Sequence, residues 1–265
     1  MPGAQHRSGC VAHDHFFRRN REGSSRCRCG AGDWEPVIEI LGRFDGRNGQ
    51  ITVAQERKTG ARLYVEEGVK QSYVLPGGLA GLDYVRLMVR VLEGAPDIVL
   101  FGCGGGALAS ELHNRGSRVT VVDDNPISFE IARRYFWMPS SIRCVADGMA
   151  EFLEEGSGEY AAIGVDVGGP SFDYDSALAA RTCALLGRRL ASGGRIAVNI
   201  ARDWAQNTTL VRIADRLLNE DLDAKIFEEA PRKGRSALIV ATKQATAMNG
   251  IAAIACSLGF RATPR

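Results

Sequence analysis

The sequence predicts an α/β fold: a doubly wound, mostly parallel sheet of the Rossmann kind with a terminal antiparallel hairpin, preceded by a small antiparallel β-sheet. Three observations carry this. The stretch Asp97–Asp123, DIVLFGCGGGALASELHNRGSRVTVVD, reads as strand, glycine-rich turn, helix and strand, and it ends on an acid. After Asp123, short apolar runs alternate with segments of helical periodicity, which implies parallel strands joined by right-handed crossovers. Between Pro36 and Val74 the runs are β-type throughout and are separated by turn dipeptides, so that part forms its own sheet.

Taken in order, residues 1–35 are basic, rich in Arg, Gly and Ser and without apolar periodicity, and read as a disordered tail. A zinc reading of His6, Cys10, His13, His15, Cys27 and Cys29 is the minor one, because paired C-x₂-C spacing is absent; no metal is expected. Val37–Leu41, Gln50–Ala54, Ala61–Val65 and Ser72–Leu75 are expected strands of a small domain over 36–80. Asp45-Gly46, Asn48-Gly49 and Thr59-Gly60 separate them, and Pro76-Gly77-Gly78 closes the set.

The main domain, 81–245, opens with an amphipathic helix over Leu82–Glu93. Asp97–Gly102 has the continuous apolar character of a strand buried on both faces. A helix over Ala107–Asn114 stops at Gly116, and Val119–Val122 is the next strand. Pro126 opens a helix to Tyr135. Ser141–Ala146 is the third strand, followed by a short helix to Leu153, and Tyr160–Val165 is the fourth. A long helix over Ala177–Leu190 and a turn at Gly193-Gly194 precede the fifth strand, Arg195–Ile200. A helix over Gln206–Leu218 leads to a hairpin of Ala224–Glu229 and Ser236–Thr242 with its turn at Pro231–Arg235, and 246–265 is a tail or short helix.

At 265 residues and 45% hydrophobic composition, the chain holds one α/β domain plus an appendage. No apolar run nears the roughly eighteen residues of a membrane helix, and no signal-peptide core is visible. Seven scattered cysteines read as reduced thiols, so a cytoplasmic location without a membrane partner is expected. The formal net charge is +2, but residues 1–30 hold six Arg against Asp14 and Glu22. That surplus of four leaves the remainder at about −2, so no nucleic-acid partner is expected.

In an open α/β sheet the ligand lies beyond the carboxyl ends of the strands. The residues there are Gly102, Gly104, Gly105 and Gly106, then Asp123, Asp147 with Gly148, and Asp166. Asp123 follows the first glycine by about twenty residues, the place of an acid that holds a ribose diol. The plain alternatives are a helix cap for Asp147 and an arginine partner for Asp123. Two adenosine ligands compete. NAD needs a pyrophosphate cradle at the helix start, whereas S-adenosylmethionine needs an acid such as Asp147 for its adenine amino group. The terminal hairpin favours a methyltransferase-like sheet. Cys103 has no histidine partner and reads as packing, and His113 as a surface residue.

These residues resemble the spermidine synthases, the polyamine aminopropyltransferases built on a methyltransferase-like fold, over about Gln50 to Ala201. Asn48-Gly49-Gln50-Ile51-Thr52-Val53 is similar to the family's early β-segment, and Leu63-Tyr64-Val65 through Gln71-Ser72 to its next hairpin. The resemblance implies that Gln71 touches the nucleoside and that Tyr84 walls the pocket. It sets Asp123 in the place of the ribose-binding glutamate and Asp147-Gly148 in that of the adenine-binding pair. Asp166 takes the place of the acid that assists deprotonation of the attacking amine. S-adenosylmethionine or its decarboxylated form is the implied co-substrate, a small molecule the acceptor, and a homodimer the implied assembly.

Two departures count against ordinary spermidine synthesis. The family's G-G-G-D-G-G reads Gly102-Cys103-Gly104-Gly105-Gly106-Ala107, and its D-x-x-D-P reads Asp166-Val167-Gly168-Gly169-Pro170. Both missing acids hold ammonium groups in the family. Lys70 also stands where a tyrosine is expected. Asp173, Tyr174 and Asp175, in the loop that follows, are candidates to cover the substrate pocket and to supply a replacement acid. A small-molecule methyltransferase and a non-catalytic nucleoside-binding homologue are the alternative readings, and a dehydrogenase a distant third.

Overall fold

A computed structural model describes residues 37–169, 172–201, 207–229, 236–244 and 247–263. The basic tail with its Cys/His set and the turn at Pro231–Arg235 lie outside the described residues. Two sheets organise what is described. The first is an antiparallel meander: β1 (Ile38–Gly46), β2 (Gly49–Glu56), β3 (Arg62–Glu66), β4 (Val69–Leu75) and β5 (Leu79–Ala80), each paired with the next. Glu67 and Gly68 both have positive φ, the geometry a two-residue hairpin turn requires, and they join β3 to β4. The sequence reading differs in two details. Asp45-Gly46 belongs to β1 rather than to a turn, and Pro76-Gly77-Gly78 leads into a short fifth strand.

The second sheet has eight strands in the order β13-β11-β12-β10-β9-β6-β7-β8. Its parallel half is β6 (Asp97–Phe101), β7 (Arg118–Asp123), β8 (Arg143–Ala146), β9 (Tyr160–Val165) and β10 (Leu190–Ala201). The antiparallel half adds β12 (Ser236–Thr242), β11 (Asp223–Glu229) and β13 (Phe260–Ala262). Successive side chains of a strand point to opposite faces. Ile98 and Leu100 of β6 accordingly join one apolar cluster, while Val99 and Phe101 join the other. The first cluster includes α1 (Asp83–Leu92), α2 (Ala107–Asn114), α3 (Ile127–Tyr135), α8 (Ala247–Ser257) and the inner face of the meander. The second is formed with α4 (Met149–Glu155), α5 (Tyr174–Ala177), α6 (Ala180–Arg189) and α7 (Asn207–Leu218).

Three elements depart from the expected pattern. The long helix expected over Ala177–Leu190 is broken into α5 and α6. Asp173 starts α5 early by accepting from the Ser176 N–H at 3.1 Å, and Arg216 on α7 draws the Asp175 and Leu178 carbonyls out of any continuous helix. Gly193-Gly194 is not a turn before a strand: β10 runs through it, with a register slip against β9 between Leu190 and Arg195. Residues 246–265 hold not only a helix but also β13, which extends the sheet beyond the expected hairpin. Among the described residues no helix is long and apolar enough to cross a membrane.

Candidate active site

Parallel register sets the site. Phe101 pairs with Val122 of β7 and with Val165 of β9, and Val165 pairs with Val198 of β10. The next residue of each strand is Gly102, Asp123, Asp166 and Asn199, so one row along the carboxyl edge carries a turn, two acids and an amide. Asp147 stands one residue beyond Ala146, the partner of Asp123. Gly102 has φ +95°, and a Cβ there would lie 2.1 Å from the Asp166 carbonyl oxygen, so only glycine lets the turn pass this close to β9.

Asp123 is pre-set by the backbone. Its Oδ2 accepts from the Cys103 N–H at 2.7 Å and its Oδ1 from the Asn125 N–H at 2.8 Å. Burial raises its carboxyl pKa, the two N–H donors oppose that, and nearby Asp124 adds to the rise. Each oxygen keeps a lone pair for a hydroxyl donor. The exposed Asp124 pairs with Arg47 at 3.3 Å, so the arginine partner belongs to it. Asp147 accepts from the Gly148 N–H at 2.8 Å, and its own N–H donates to the Asp123 carbonyl at 3.2 Å. It does not cap α4, whose N-cap is Gly148 without a side-chain bond.

Among the described residues, Asp166 is the acid pushed furthest up. Asn199 Nδ2 donates to its Oδ1 at 2.9 Å, and the Tyr84 hydroxyl lies 3.5 Å from its Oδ2. Burial pushes its pKa up to about 6, against the lowering effect of both donors. The Tyr84 hydroxyl is held well above its ordinary value, first by burial and then by the field of Asp166. Tyr174 accepts the Ala201 N–H at 3.2 Å, and a Cβ on Gly168 would meet its hydroxyl at 2.4 Å, so it braces the chain just after Asp166. A cavity of about 20 Å³, room for one water, lies between Ser72–Val74, Tyr84, the glycine turn and Asp166.

Several expected residues sit elsewhere or do something else. Asp173 is exposed and caps α5, its Oδ1 accepting the Ser176 N–H and its Oδ2 the Ser176 hydroxyl at 2.7 Å, which holds it on that helix end. Asp175 is taken by Arg212 and Thr209, first by the arginine, which lowers its carboxyl to about 2. Lys70 is exposed, with its ammonium 5.7 Å from the centre of the Tyr73 ring. Gly105 is closed on its side-chain side: a Cβ would meet Val74 at 2.9 Å, Phe136 at 3.1 Å and Ser72 at 3.2 Å. Its N–H donates to Ser72 Oγ at 2.9 Å, which ties the glycine turn to β4. Cys103 is packed, and burial raises its thiol well above the ordinary value.

Gln71 falls at an irregularity of the β3–β4 ladder: Tyr64 faces Ser72 and Val65 faces Lys70, so Gln71 is the extra residue. Such bulges re-aim a side chain, and Gln71 Nε2 is buried without a partner. Asn199 escaped the sequence reading, although a lone amide inside the apolar run Ile196–Ile200 was a signal. It is 7% exposed, and its Oδ1 has no hydrogen-bond partner. Unpaired buried donors and acceptors are rare and call for a ligand or water.

Comparison with solved structures settles the architecture. The chain superposes with a TM-score of 0.67 on a probable spermidine synthase from Corynebacterium glutamicum, at 16% identity, over 85% of this chain and 91% of that one. The chain has a spermidine-synthase-like fold. A spermidine synthase solved with the transition-state analogue AdoDATO matches at 0.63, with 12% identity over 77% of this chain and 74% of the other. The Thermotoga maritima spermidine synthase matches at 0.60, with 11% identity over 77% and 72%. Among curated proteins, a ubiquinone biosynthesis O-methyltransferase from Methylocella silvestris is 34% identical over 85 residues. That segment spans 32% of this chain and 28% of the methyltransferase. No protein-family model matches the sequence.

Proposed function

We propose that the chain is a transferase that binds S-adenosylmethionine or its decarboxylated form and moves an aminopropyl or other alkyl group to a small-molecule acceptor. The observation that carries this is Asp166: a buried carboxyl with a pKa near 6, beside the glycine turn and level with Asp123. The nucleoside fits the residues present. Asp123 keeps free lone pairs for a ribose diol, Asp147 stands one step along the edge for an adenine amino group, and Gln71 Nε2 is an unused donor.

A bound sulfonium supplies a carbon already activated toward displacement. The protein's part is alignment and the handling of one proton. Asp166, ionised above pH 6, is the acceptor for that proton, and Asn199 orients it through the 2.9 Å bond. Asp123→Ala should weaken binding of methylthioadenosine about a hundredfold, the value of losing charge-assisted hydroxyl contacts. Calorimetry checks this, and unchanged affinity would remove Asp123 from the site.

The lining of the cavity favours the decarboxylated donor. Among the described residues that line it, Asp166 is the single charge and none is a lysine or arginine that could receive a methionine carboxylate. Decarboxylated S-adenosylmethionine is therefore expected to bind at least about tenfold more tightly than S-adenosylmethionine in parallel titrations, one charge pair being at stake. The reverse preference would support the second reading, a small-molecule methyltransferase, for which the 85-residue likeness to an O-methyltransferase speaks.

A further inference from the structure

We propose that Glu66 is a second ribose-holding residue, facing Asp123 across the nucleoside site from the end of β3; this rests on the nucleoside-binding reading above. Alternate residues of a strand share a face. Tyr64, two residues before Glu66, lies with its hydroxyl 3.2 Å from Ser128 Oγ on α3, the helix that follows Asp123. Ser72, the ladder partner of Tyr64, reaches the Gly105 N–H on the same side. This face of the hairpin thus looks onto the glycine turn and the end of β7.

Glu66 Oε1 is buried and has no hydrogen-bond partner. Its neighbour Glu67 is accounted for, its Oε1 accepting the Gln50 N–H at 2.7 Å. Burial raises the Glu66 carboxyl, and the fields of Asp123, Asp124 and Glu67 raise it further. The backbone donors nearby are already committed: Cys103 and Asn125 to Asp123, Gly105 to Ser72, and Gly148 to Asp147. What this corner lacks is a pair of neutral donors. A vicinal diol brings two O–H groups and no charge, so one hydroxyl can go to Asp123 and the other to Glu66. Leaving such an acceptor unpaired in a buried place is unfavourable, and a ligand that satisfies it gains accordingly.

The test is a matched set of calorimetric titrations of the full chain with methylthioadenosine and its 2′-deoxy and 3′-deoxy analogues. Wild type should lose about tenfold or more in affinity on deletion of the hydroxyl that Glu66 holds. Glu66→Gln should show a similar loss for methylthioadenosine and little further loss for that deoxy analogue. The unliganded variant should melt at the same temperature as wild type or higher, because a buried acid beside other acids has been neutralised. A residue with a purely structural role would instead lower the melting temperature and leave the hydroxyl dependence intact. Should Glu66→Gln fail to fold, Glu66→Asp, shorter by one methylene, should reproduce the same loss of affinity. Wild-type-like binding by these variants, with an undiminished deoxy penalty, overturns the inference while Asp123→Ala still upholds the site. If wild type binds none of the three nucleosides, the nucleoside reading falls and the inference falls with it.

Discussion

Asp166→Asn is expected to lower the release of the thioether nucleoside about a thousandfold, as loss of a positioned base does, while making the protein more stable. The opposing effects have one origin. Burial raises this carboxyl to about 6 in the folded chain, against about 3.9 in an unfolded one. The folded state therefore holds the proton more tightly, so stability falls as pH rises from about 4 to about 6, and the whole penalty is present above that. Two pKa units correspond to about 3 kcal/mol, an upper limit, because asparagine also gives up the charge-assisted bonds from Asn199 and Tyr84. At neutral pH the variant should melt up to about 5–10 °C higher in a domain of this size. The wild-type rate should fall below pH 6 as the base becomes protonated. A rate for Asp166→Asn within tenfold of wild type would dismiss the base. Nucleoside binding by wild type without turnover on any amine or hydroxyl acceptor would instead favour a non-catalytic homologue.

The two glycines that replace acids of the resembling family should respond in opposite ways. Gly105→Asp puts a carboxylate against Val74, Phe136 and Ser72, with contacts as short as 2.9 Å. Overpacking and an unpaired buried charge together should cost about 3–5 kcal/mol, read as a large fall in melting temperature or in soluble yield. Gly169→Asp places its side chain where no described residue lies within 4 Å of the Cβ position, and stability should stay within about 0.5 kcal/mol of wild type. If Gly105→Asp is tolerated, the wall formed by Val74 and Phe136 is softer than its geometry, and the missing acid there is a matter of choice rather than space. A gain in diamine affinity by Gly169→Asp alone would mark the loop after β9 as the acceptor side.

Much of this was legible in the sequence. Apolar runs flanked by turn residues located all five parallel strands, because a strand buried on both faces has a local signature that needs no knowledge of its neighbours. The acids Asp123, Asp147 and Asp166 were legible for the same reason, since each directly follows such a run. Less legible were features decided by competition between distant side chains. Asp173 had the right composition for a site acid, but Ser176 claims both of its oxygens. The helix expected from Ala177 was interrupted by an arginine from α7.

The sequence by itself determined the order of the parallel strands, the glycine turn and the three acids at strand ends, because these follow from local periodicity and from residue chemistry at its boundaries. Only the tertiary structure decided that Asn199 stands level with Asp166, that Gly105 is walled by Val74 and Phe136, and that Gln71 falls at the irregularity between β3 and β4. Each of these depends on strand register or on packing between residues far apart in the chain. Periodicity tells which face of an element is buried, and it carries no record of what covers that face.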